Sequence, residues 1–413
     1  MAISDLPKPG PLSAAQIALV KTTVPGLQAK GPEIAKCMYK GMLGANPDLK
    51  NLFNNTKQQR GDQASALSRV VTTYAEHLED LTPLMPMIER LCHKHTTINL
   101  QPEQYTIVGK HLFEAFAEVL GKDVYTDEVH EAWVAAYWQL SHLCIDREVE
   151  LYKDAAWISW KDFVVQSKVK ESEEITSFYL VPKDGSPLPS YKPGQYVSVQ
   201  HFIDSLGFKQ SRQYSLSEAP NPKHFRISVR RDKGAEKGIP GCMSSLLHDS
   251  VNEGDTLEVA FPYGEFFLDD SSSPVVLISA GVGLTPLTSM LQSILNASNP
   301  RPVSWIQVVH SQNDHALNEE TRQLLKAHPS NVRKTIFYSD PGAAVAGEQF
   351  DITGRMDLAK VDDETLRLGQ SDAQYYICGP QDFMAGMGKA LLDKGVDRAR
   401  VHTEVFGAAA API

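Results

Sequence analysis

The spacing of apolar residues divides the chain into regions of different periodicity. Up to about residue 154, apolar positions recur at helical spacing, most clearly in the runs Gly61–Leu78, Val108–Val119 and Val129–Tyr152. Prolines separate these runs, as they commonly do between helices. No strand-like alternation appears in this region. We therefore predict an all-α domain over residues 1–154.

The sequence pattern changes from helical to strand-like at about Trp157. Short runs rich in β-branched and aromatic residues follow one another, among them FVVQSKV, SFYLV, QYVSVQ, FRISVR and TLEVAF. Turn signals such as KDGSP, KPG and NEGD separate them. Many short strands at this spacing are typical of a β-barrel or a sandwich, and we predict an antiparallel β-barrel over residues 155–270.

A third pattern follows the Ser/Asp-rich segment DDSSSP at residues 269–274. Apolar strand-like runs such as VVLISA, VSWIQVVH and QYYICG alternate with helical stretches such as LTSMLQSIL. This alternation is typical of an α/β domain with a doubly wound parallel sheet, which we predict over residues 271–413. The fold class is therefore multidomain: all-α, then a β-barrel, then α/β.

Charge and cysteine content exclude several function classes. The 413 residues carry a net charge of −10 without Lys/Arg clusters, which argues against nucleic acid or an anionic membrane surface as a partner. The five cysteines are widely spaced and form no C-x-x-C pair, which argues against a disulfide framework or a zinc site. The start of the chain lacks an apolar leader, and no run of about 18 apolar residues occurs. We expect a cytoplasmic monomer without stable membrane association.

Glycine turns at the ends of two predicted strands indicate a nucleotide site. VVLISA runs into GVGLTP, where glycines allow a pyrophosphate to approach the backbone and the next helix offers free N–H groups. A lone G-x-G is weak evidence, but YYICGP repeats the design at a later strand. The candidate contacts are Gly281, Val282, Gly283, Leu284, Thr285, Pro286, Cys378, Gly379 and Pro380.

The middle region contains RQYSL at residues 212–216 and GCMSSLLH at residues 241–248. The first could be an ordinary strand with an alternating face. It could equally be a flavin site, because an Arg can fork onto a pyrophosphate and a Tyr can pack flat on an isoalloxazine ring. The second could place a helix N-terminus against the same phosphate. The candidate residues are Arg212, Gln213, Tyr214, Ser215, Gly241 and Ser244.

Four ordered motifs, R-x-Y-S, G-x-x-S, G-x-G-x-T-P and C-G-P, resemble those of the ferredoxin–NADP reductase family. The resemblance implies FAD on the barrel and NADH or NADPH on the α/β domain. It adds Tyr196, in PGQY, and the near-terminal EVFG as flavin contacts, although Phe406 could also be a buried terminal aromatic. The chain departs from the family pattern after this motif, where AAAAPI replaces the more usual proline. The EVFG contacts are Val405, Phe406 and Gly407.

Cofactor preference stays open at this point. The segment VVHSQNDHAL after the second strand of this domain offers neither an obvious acid for a ribose hydroxyl nor an Arg for a 2′-phosphate.

Two neighbouring histidines occur in the helical region, within HKHTTINLQPEQY. Residues two apart on a helix point about 200° from each other, so one of them at most can face a given pocket. Met87 and Leu91 precede His95 by eight and four residues, which places His95 on the apolar face. We expect His93 to lie on the solvent side. A lone histidine on an apolar face is more often a core residue than a ligand.

Polar residues on two other predicted helices could converge opposite this histidine. Tyr39 lies in the periodic stretch IAKCMYKGM, and Gln63 begins the helix that continues through Leu67. Each also has an ordinary explanation, a core tyrosine and an exposed first-turn residue. His77 lies fourteen residues beyond Gln63, about 21 Å along a helix, which is too far to share the site.

The segments KHTTINLQPEQYTIVG, GDQASAL and IDREVELY resemble the globin domain of flavohaemoglobins, and the resemblance then covers nearly the whole chain. It implies haem b with His95 as the ligand of the iron. It implies Tyr105 and Glu148 beside that histidine, Tyr39 and Gln63 as donors to bound dioxygen, and Leu67 as the roof of the pocket. Lys94 would tune the haem potential.

The same resemblance implies an enzyme that detoxifies nitric oxide. NAD(P)H would reduce FAD, FAD would reduce the haem iron, and haem-bound O₂ would convert nitric oxide to nitrate. Other possibilities are hydroperoxide reduction, plain NAD(P)H oxidase activity, a sensor or store of O₂ or nitric oxide, and a diaphorase with a haem-free globin. A fused reductase argues against a store, and no output domain for a sensor is visible.

Overall fold

The computed structural model describes residues 6–8, 10–53, 56, 61–234 and 238–406, and the described part of the first 153 residues is mainly helical. Ser13 forms a capping box at the first helix, and the Thr126 hydroxyl accepts from the Val129 N–H at the last. All three predicted helical runs are confirmed. The helices are α1 (Ala14–Lys21), α2 (Val24–Ala45), α3 (Asp62–Glu76), α4 (Met85–Thr97), α5 (Pro102–Leu120) and α6 (Asp127–Lys153).

Two compact units divide the chain. The helical unit comprises Met1–Trp160 together with Gln200–Arg212 and Glu236–Ile239, and the second unit holds the remainder. Within the helical unit, Gln210 is fully buried and donates from Nε2 to the carbonyls of Lys50 (3.3 Å) and Phe53 (3.1 Å). The predicted boundaries at 154/155 and 270/271 stay a prediction.

An antiparallel sheet follows the helices, in the strand order β4-β3-β6-β1-β2-β5. A bridge between Leu216, just after β4, and Ile227 in β5 joins the two outer strands, which is the closure expected of a barrel. A helix, α7 (Cys242–Asp249), begins directly after Gly241. The strands are β1 (Trp160–Lys170), β2 (Ile175–Pro182), β3 (Tyr196–Ile203), β4 (Phe208–Ser215), β5 (Phe225–Arg230) and β6 (Thr256–Ala260).

The last region forms a parallel sheet in the order β10-β9-β8-β7-β11-β12, confirming the doubly wound pattern. Its elements are β7 (Val275–Ala280), α8 (Leu284–Leu295), β8 (Val303–Val309), α9 (Asn318–Ala327), β9 (Val332–Tyr338), β10 (Ile352–Thr353), β11 (Gln374–Cys378), α10 (Gln381–Asp393) and β12 (Val401–Glu404).

Strand β7 is buried on both faces, as the continuous run VVLISA predicts. Val275 and Leu277 pack on one face with α8, whereas Val276 and Ile278 pack on the other with α10. Strand order reverses between β7 and β11, so their carboxyl ends border the crevice in which open α/β sheets bind ligands. None of the helices in the described part of the chain has the length and apolar character that a membrane span requires.

Candidate functional site

Helix α4 presents His95 to a buried acid and a buried tyrosine. His95 Nδ1 lies 2.7 Å from Glu148 Oε1 and 3.1 Å from the Tyr105 hydroxyl, and that hydroxyl donates to the same carboxylate oxygen at 2.6 Å. Glu148 is 3% exposed. The structure therefore joins three predicted residues, from α4, α5 and α6, in one triangle of hydrogen bonds.

The triangle leaves one nitrogen of His95 available. When Nδ1–H donates to the carboxylate, the lone pair lies on Nε2, which is how histidines that hold a metal are usually oriented. Burial, and next the neighbouring Cys144 and Glu148, raise the pKa of Tyr105 well above its usual range. Tyr105 therefore stays a hydroxyl donor to the carboxylate, and the donor chemistry fits an iron ligand with a negatively charged partner.

The expectation that His93 lies on the solvent side is wrong. His93 is buried, and its Nε2 lies 3.1 Å from Glu89 Oε1. Glu89 in turn accepts a fork from Arg147 on α6, with distances of 2.7 Å from Nε and 2.5 Å from Nη2. His93 is covered because α6 packs alongside α4, where Arg147 reaches Glu89 and Glu148 reaches His95.

Two predicted residues also meet on α2 and α3. Tyr39 is buried and its hydroxyl is hydrogen-bonded to the side chain of Gln63, the second residue of α3. Burial raises the pKa of Tyr39, and Gln63 lowers it by a smaller amount, so the phenol keeps its proton. Gln63 Oε1 is buried and has no hydrogen-bond partner. An orphaned buried oxygen of this kind indicates that a further group completes the site.

Three further residues of the helical unit can be placed relative to Tyr39, Gln63 and His95. The Phe53 ring packs edge-on against Tyr39, with 5.5 Å between centroids. Leu67 lines an apolar cavity between α2, α3 and α5, one turn beyond Gln63. Lys94 is half-buried beside His95. Sequence reasoning missed Phe53, since NLFNN carries no chemical signal.

The two glycine turns of the parallel sheet touch each other. A Cβ on Gly283 would lie 2.2 Å from the Cys378 carbonyl oxygen, so only glycine allows this approach. A Cβ on Gly379 would lie 3.0 Å from Ala280 Cβ. Gly281 has φ +54°, in the left-handed region that glycine tolerates. The structure thus brings both predicted turns to one edge of the sheet.

Several side chains in these turns serve packing. Leu284 packs with Ile175, Ala316 and Leu317, and Val282 packs against the same cluster. Thr285 donates to the Val282 carbonyl at 3.0 Å, and Pro286 is buried. Burial, with Glu404 adding to it, raises the pKa of the Cys378 thiol well above its usual range. These turns therefore offer mainly backbone groups to a ligand. Pro380 lies beside them, at the N-cap of α10.

The predicted flavin residues of the second unit lie on β3, β4 and α7. Tyr196 is buried at the start of β3 and bridges Tyr263. Along β4, Gln213 is exposed, Tyr214 is half-buried and Ser215 is buried. Ser244 is tied to the backbone: it donates to the Gly241 carbonyl (3.2 Å) and accepts from the Asp232 N–H (3.1 Å).

Arg212 belongs to the helical unit, where its guanidinium donates to the Thr56 hydroxyl at 3.1 Å and to the Ser211 carbonyl at 2.6 Å. At the other end of the chain, β12 ends at Glu404, Val405 is buried and Phe406 is 47% exposed. That exposure excludes the alternative of a buried terminal aromatic. Gly407 lies outside the described residues.

Comparison with known proteins decides the family. Residues 36–144 match the globin family, and residues 277–389 match the oxidoreductase NAD-binding domain. The flavohemoprotein of Bordetella parapertussis is 46% identical over 398 residues, covering 94% of this chain and 97% of that protein. This chain belongs to the flavohaemoprotein family. The flavohemoprotein of Rhizobium meliloti is 43% identical over 396 residues and covers 94% of this chain and 96% of that protein.

Solved structures agree with this assignment. The crystal structure of a flavohemoglobin from Malassezia yamatoensis with bound FAD and heme has a TM-score of 0.83 and 26% identity, covering 96% of this chain and all of that one. The FAD/NAD-binding domain of a nitric oxide dioxygenase from Vibrio cholerae is 38% identical, has a TM-score of 0.54, and covers 60% of this chain and 98% of that one. The expected fold class and family are confirmed. The roles of individual site residues stay predictions.

Proposed function

We propose that this flavohaemoprotein oxidises nitric oxide to nitrate with O₂, using NADH or NADPH as the electron source. When bound, FAD accepts hydride and passes on single electrons, and haem b activates O₂. The hydrogen-bonded triangle of His95, Tyr105 and Glu148 carries the proposal, because an O₂ store does not need a charged partner for its iron ligand. The name of the Vibrio cholerae relative supports it as well.

Each group of residues has a defined task. His95 Nε2 would hold the iron, and Glu148 would orient the ring and make it a stronger donor. Tyr39, which is buried, and Gln63, whose Oε1 is buried, would donate hydrogen bonds to the diatomic ligand. Tyr196, Tyr214 and Ser215 would bind the flavin, with the Gly241 turn and Arg212 at its phosphates. The glycine turns at Gly281–Gly283 and Gly379 would take the pyrophosphate of the nucleotide.

Three further properties belong to this proposal. The protein is expected to act as a monomer, and its location is expected to be cytoplasmic. O₂ and nitric oxide are its small-molecule partners.

Electron counting gives a sharp test. One nitric oxide, one O₂ and one electron yield one nitrate, so each NADH, a two-electron donor, supports two nitrates. Nitric oxide consumption is followed at an electrode in aerated buffer with and without NADH, and nitrate is assayed afterwards. We expect fast NADH-dependent loss of nitric oxide with about two nitrates per NADH. NADH oxidation without loss of nitric oxide would refute the proposed reaction.

A further inference from the structure

The end of β4 is attached to helix α8. Beyond Ser215, the chain continues through Ser217, Glu218 and Ala219, which lie along α8 in the second unit. The Glu218 carbonyl accepts from the Ser289 hydroxyl at 2.5 Å, and the Ala219 N–H donates to Gln292 Oε1 at 2.9 Å. We call residues 217–219 and their partners on α8 the 217–219 junction.

An ion pair between a buried arginine and a half-exposed glutamate completes the junction. Arg226 on β5 is 2% exposed and donates a fork to Glu320 on α9, with distances of 2.6 Å from Nη1 and 2.7 Å from Nη2. The same guanidinium donates to the Ser217 carbonyl and, from Nε, to the Ser217 hydroxyl at 3.2 Å. Glu320 Oε1 also accepts from Gln292 Nε2 at 2.6 Å. The contacts form a closed chain through β5, the 217–219 segment, α8 and α9.

Two segments of the junction lead to proposed cofactor contacts. Ser215 and Tyr214, on the flavin side, lie two and three residues before Ser217. On the nucleotide side, α8 begins at Leu284, directly after the glycine turn and five residues before Ser289. Strand and helix transmit orientation as stiff elements, so the junction sets the position of one contact relative to the other.

A contribution to the stability of the fold is a weak explanation for the Arg226–Glu320 ion pair. Because Arg226 is buried, its desolvation offsets much of its attraction to Glu320, and replacement of both partners of such a pair by apolar residues is often neutral. Orientation is a stronger reason, because a forked Arg–carboxylate pair is geometrically specific. Hydride transfer depends steeply on orientation, since reacting atoms must lie about 3–3.5 Å apart.

We propose that Arg226 and Glu320 are positioning residues for hydride transfer, which hold the flavin strand β4 and the nucleotide turn before α8 in a fixed relation. This inference rests on the proposed use of FAD and NAD(P)H. It assigns no role to the helical unit.

The test replaces the pair together, as Arg226→Met with Glu320→Leu, in the full-length FAD-loaded protein. Loss of Glu320 alone would leave the buried charge of Arg226 without its carboxylate and destabilise the fold. Anaerobic stopped-flow absorbance measures flavin reduction over a range of NADH concentrations. We expect the limiting rate to fall about tenfold or more. The NADH concentration at half-saturation should change by less than about twofold, because the nucleotide turn itself is intact.

Hydrogen–deuterium exchange supplies a readout that is independent of activity. The peptide that contains Ala219 should exchange faster in the double variant, since its N–H donates to Gln292 within the junction.

A matched control is Arg301→Met with Asp269→Leu. Arg301 is also nearly buried, with an 8% exposed side chain 2.7 Å from Asp269, but it lies before β8, at the amino end of the parallel strands. This control should leave the limiting rate of flavin reduction at the parent value.

Two results would overturn the inference. Unchanged exchange at Ala219 would mean that the pair does not hold the junction. Faster exchange with an unchanged limiting rate would mean that the junction does not position hydride transfer. Failure of the proposed function is distinguishable, because a parent protein that consumes no nitric oxide can still reduce its flavin with NADH.

Discussion

The proposed chemistry of the helical unit depends on the hydrogen bond between His95 Nδ1 and Glu148 Oε1, which are 2.7 Å apart. Glu148→Gln keeps an acceptor but removes the charge that strengthens the imidazole as a donor. We expect nitric oxide turnover to fall about tenfold or more, with hydride transfer to FAD unchanged. Glu150→Gln, an exposed acid on the same helix, is the control. Turnover equal to that of the parent would refute the role of Glu148.

A second residue-scale prediction concerns pH. His315 is buried between the Tyr338 hydroxyl (2.8 Å from Nδ1) and Gln307 Oε1 (3.2 Å from Nε2), and burial lowers its pKa to about 4. In the unfolded chain His315 therefore binds a proton as the pH falls through 6.5. In the folded chain it does so only near pH 4. This contribution to stability is complete above pH 6.5 and is lost as the pH falls toward 4.

His315→Gln should flatten that dependence, by about 1 kcal/mol per pH unit between pH 4.5 and 6. Urea unfolding at a series of pH values measures the difference between parent and variant. His310→Gln, at an exposed histidine of the same loop, should leave the parent slope in place. Parallel curves for the parent and His315→Gln would contradict the assignment.

At the scale of elements, the β7–α8 turn requires glycine at position 283, where a side chain would collide with the β11 turn. In Gly283→Ala the new Cβ would lie 2.2 Å from Cys378 O and 2.7 Å from Gly379 N, and backbone atoms cannot rotate away. We expect a loss of about 2 kcal/mol in stability, together with weaker NADH binding as the two turns separate.

Gly44→Ala is the comparison, since Gly44 is exposed on α2 and no atom lies within 4 Å of the added Cβ. It should stabilise the helix by up to about 1 kcal/mol. Thermal unfolding and NADH titration measure both variants. If Gly283→Ala behaves like Gly44→Ala, the close approach of the turns is not required.

At the scale of the whole molecule, residues 200–212 join the helical unit although some 40 residues of sheet separate them from it in sequence. In Gln210→Ala, the carbonyls of Lys50 and Phe53 lose a buried donor, at a cost of about 1–3 kcal/mol. Because Phe53 packs on Tyr39, nitric oxide turnover should fall as well.

Thermal unfolding followed at the haem Soret band, alongside electrode assays, measures both effects. Gln323→Ala is the control, since Gln323 lies exposed on α9 and contacts Glu319. A stability loss without any change in turnover would show that residues 200–212 support the fold but not the Tyr39 site.

The sequence by itself determined the type of each element and the family. Helical spacing and strand runs are local properties of neighbouring residues, and the predicted helices and strands were confirmed for that reason. The order of the glycine motifs and the segments around His95 also indicated the family from sequence. At a turn or a ligand position, the chemistry restricts which residue types can occur.

Tertiary structure alone decided what covers each surface. Spacing gives the relative direction of His93 and His95 but not their burial, which depends on Arg147 and Glu148 of α6, some 50 residues later. Phe53, the orphaned Gln63 oxygen and the Arg226–Glu320 pair likewise arise from segments that are distant in sequence. Local patterns specify elements because backbone sterics act between neighbours, whereas burial and ion pairing depend on which distant segment packs alongside.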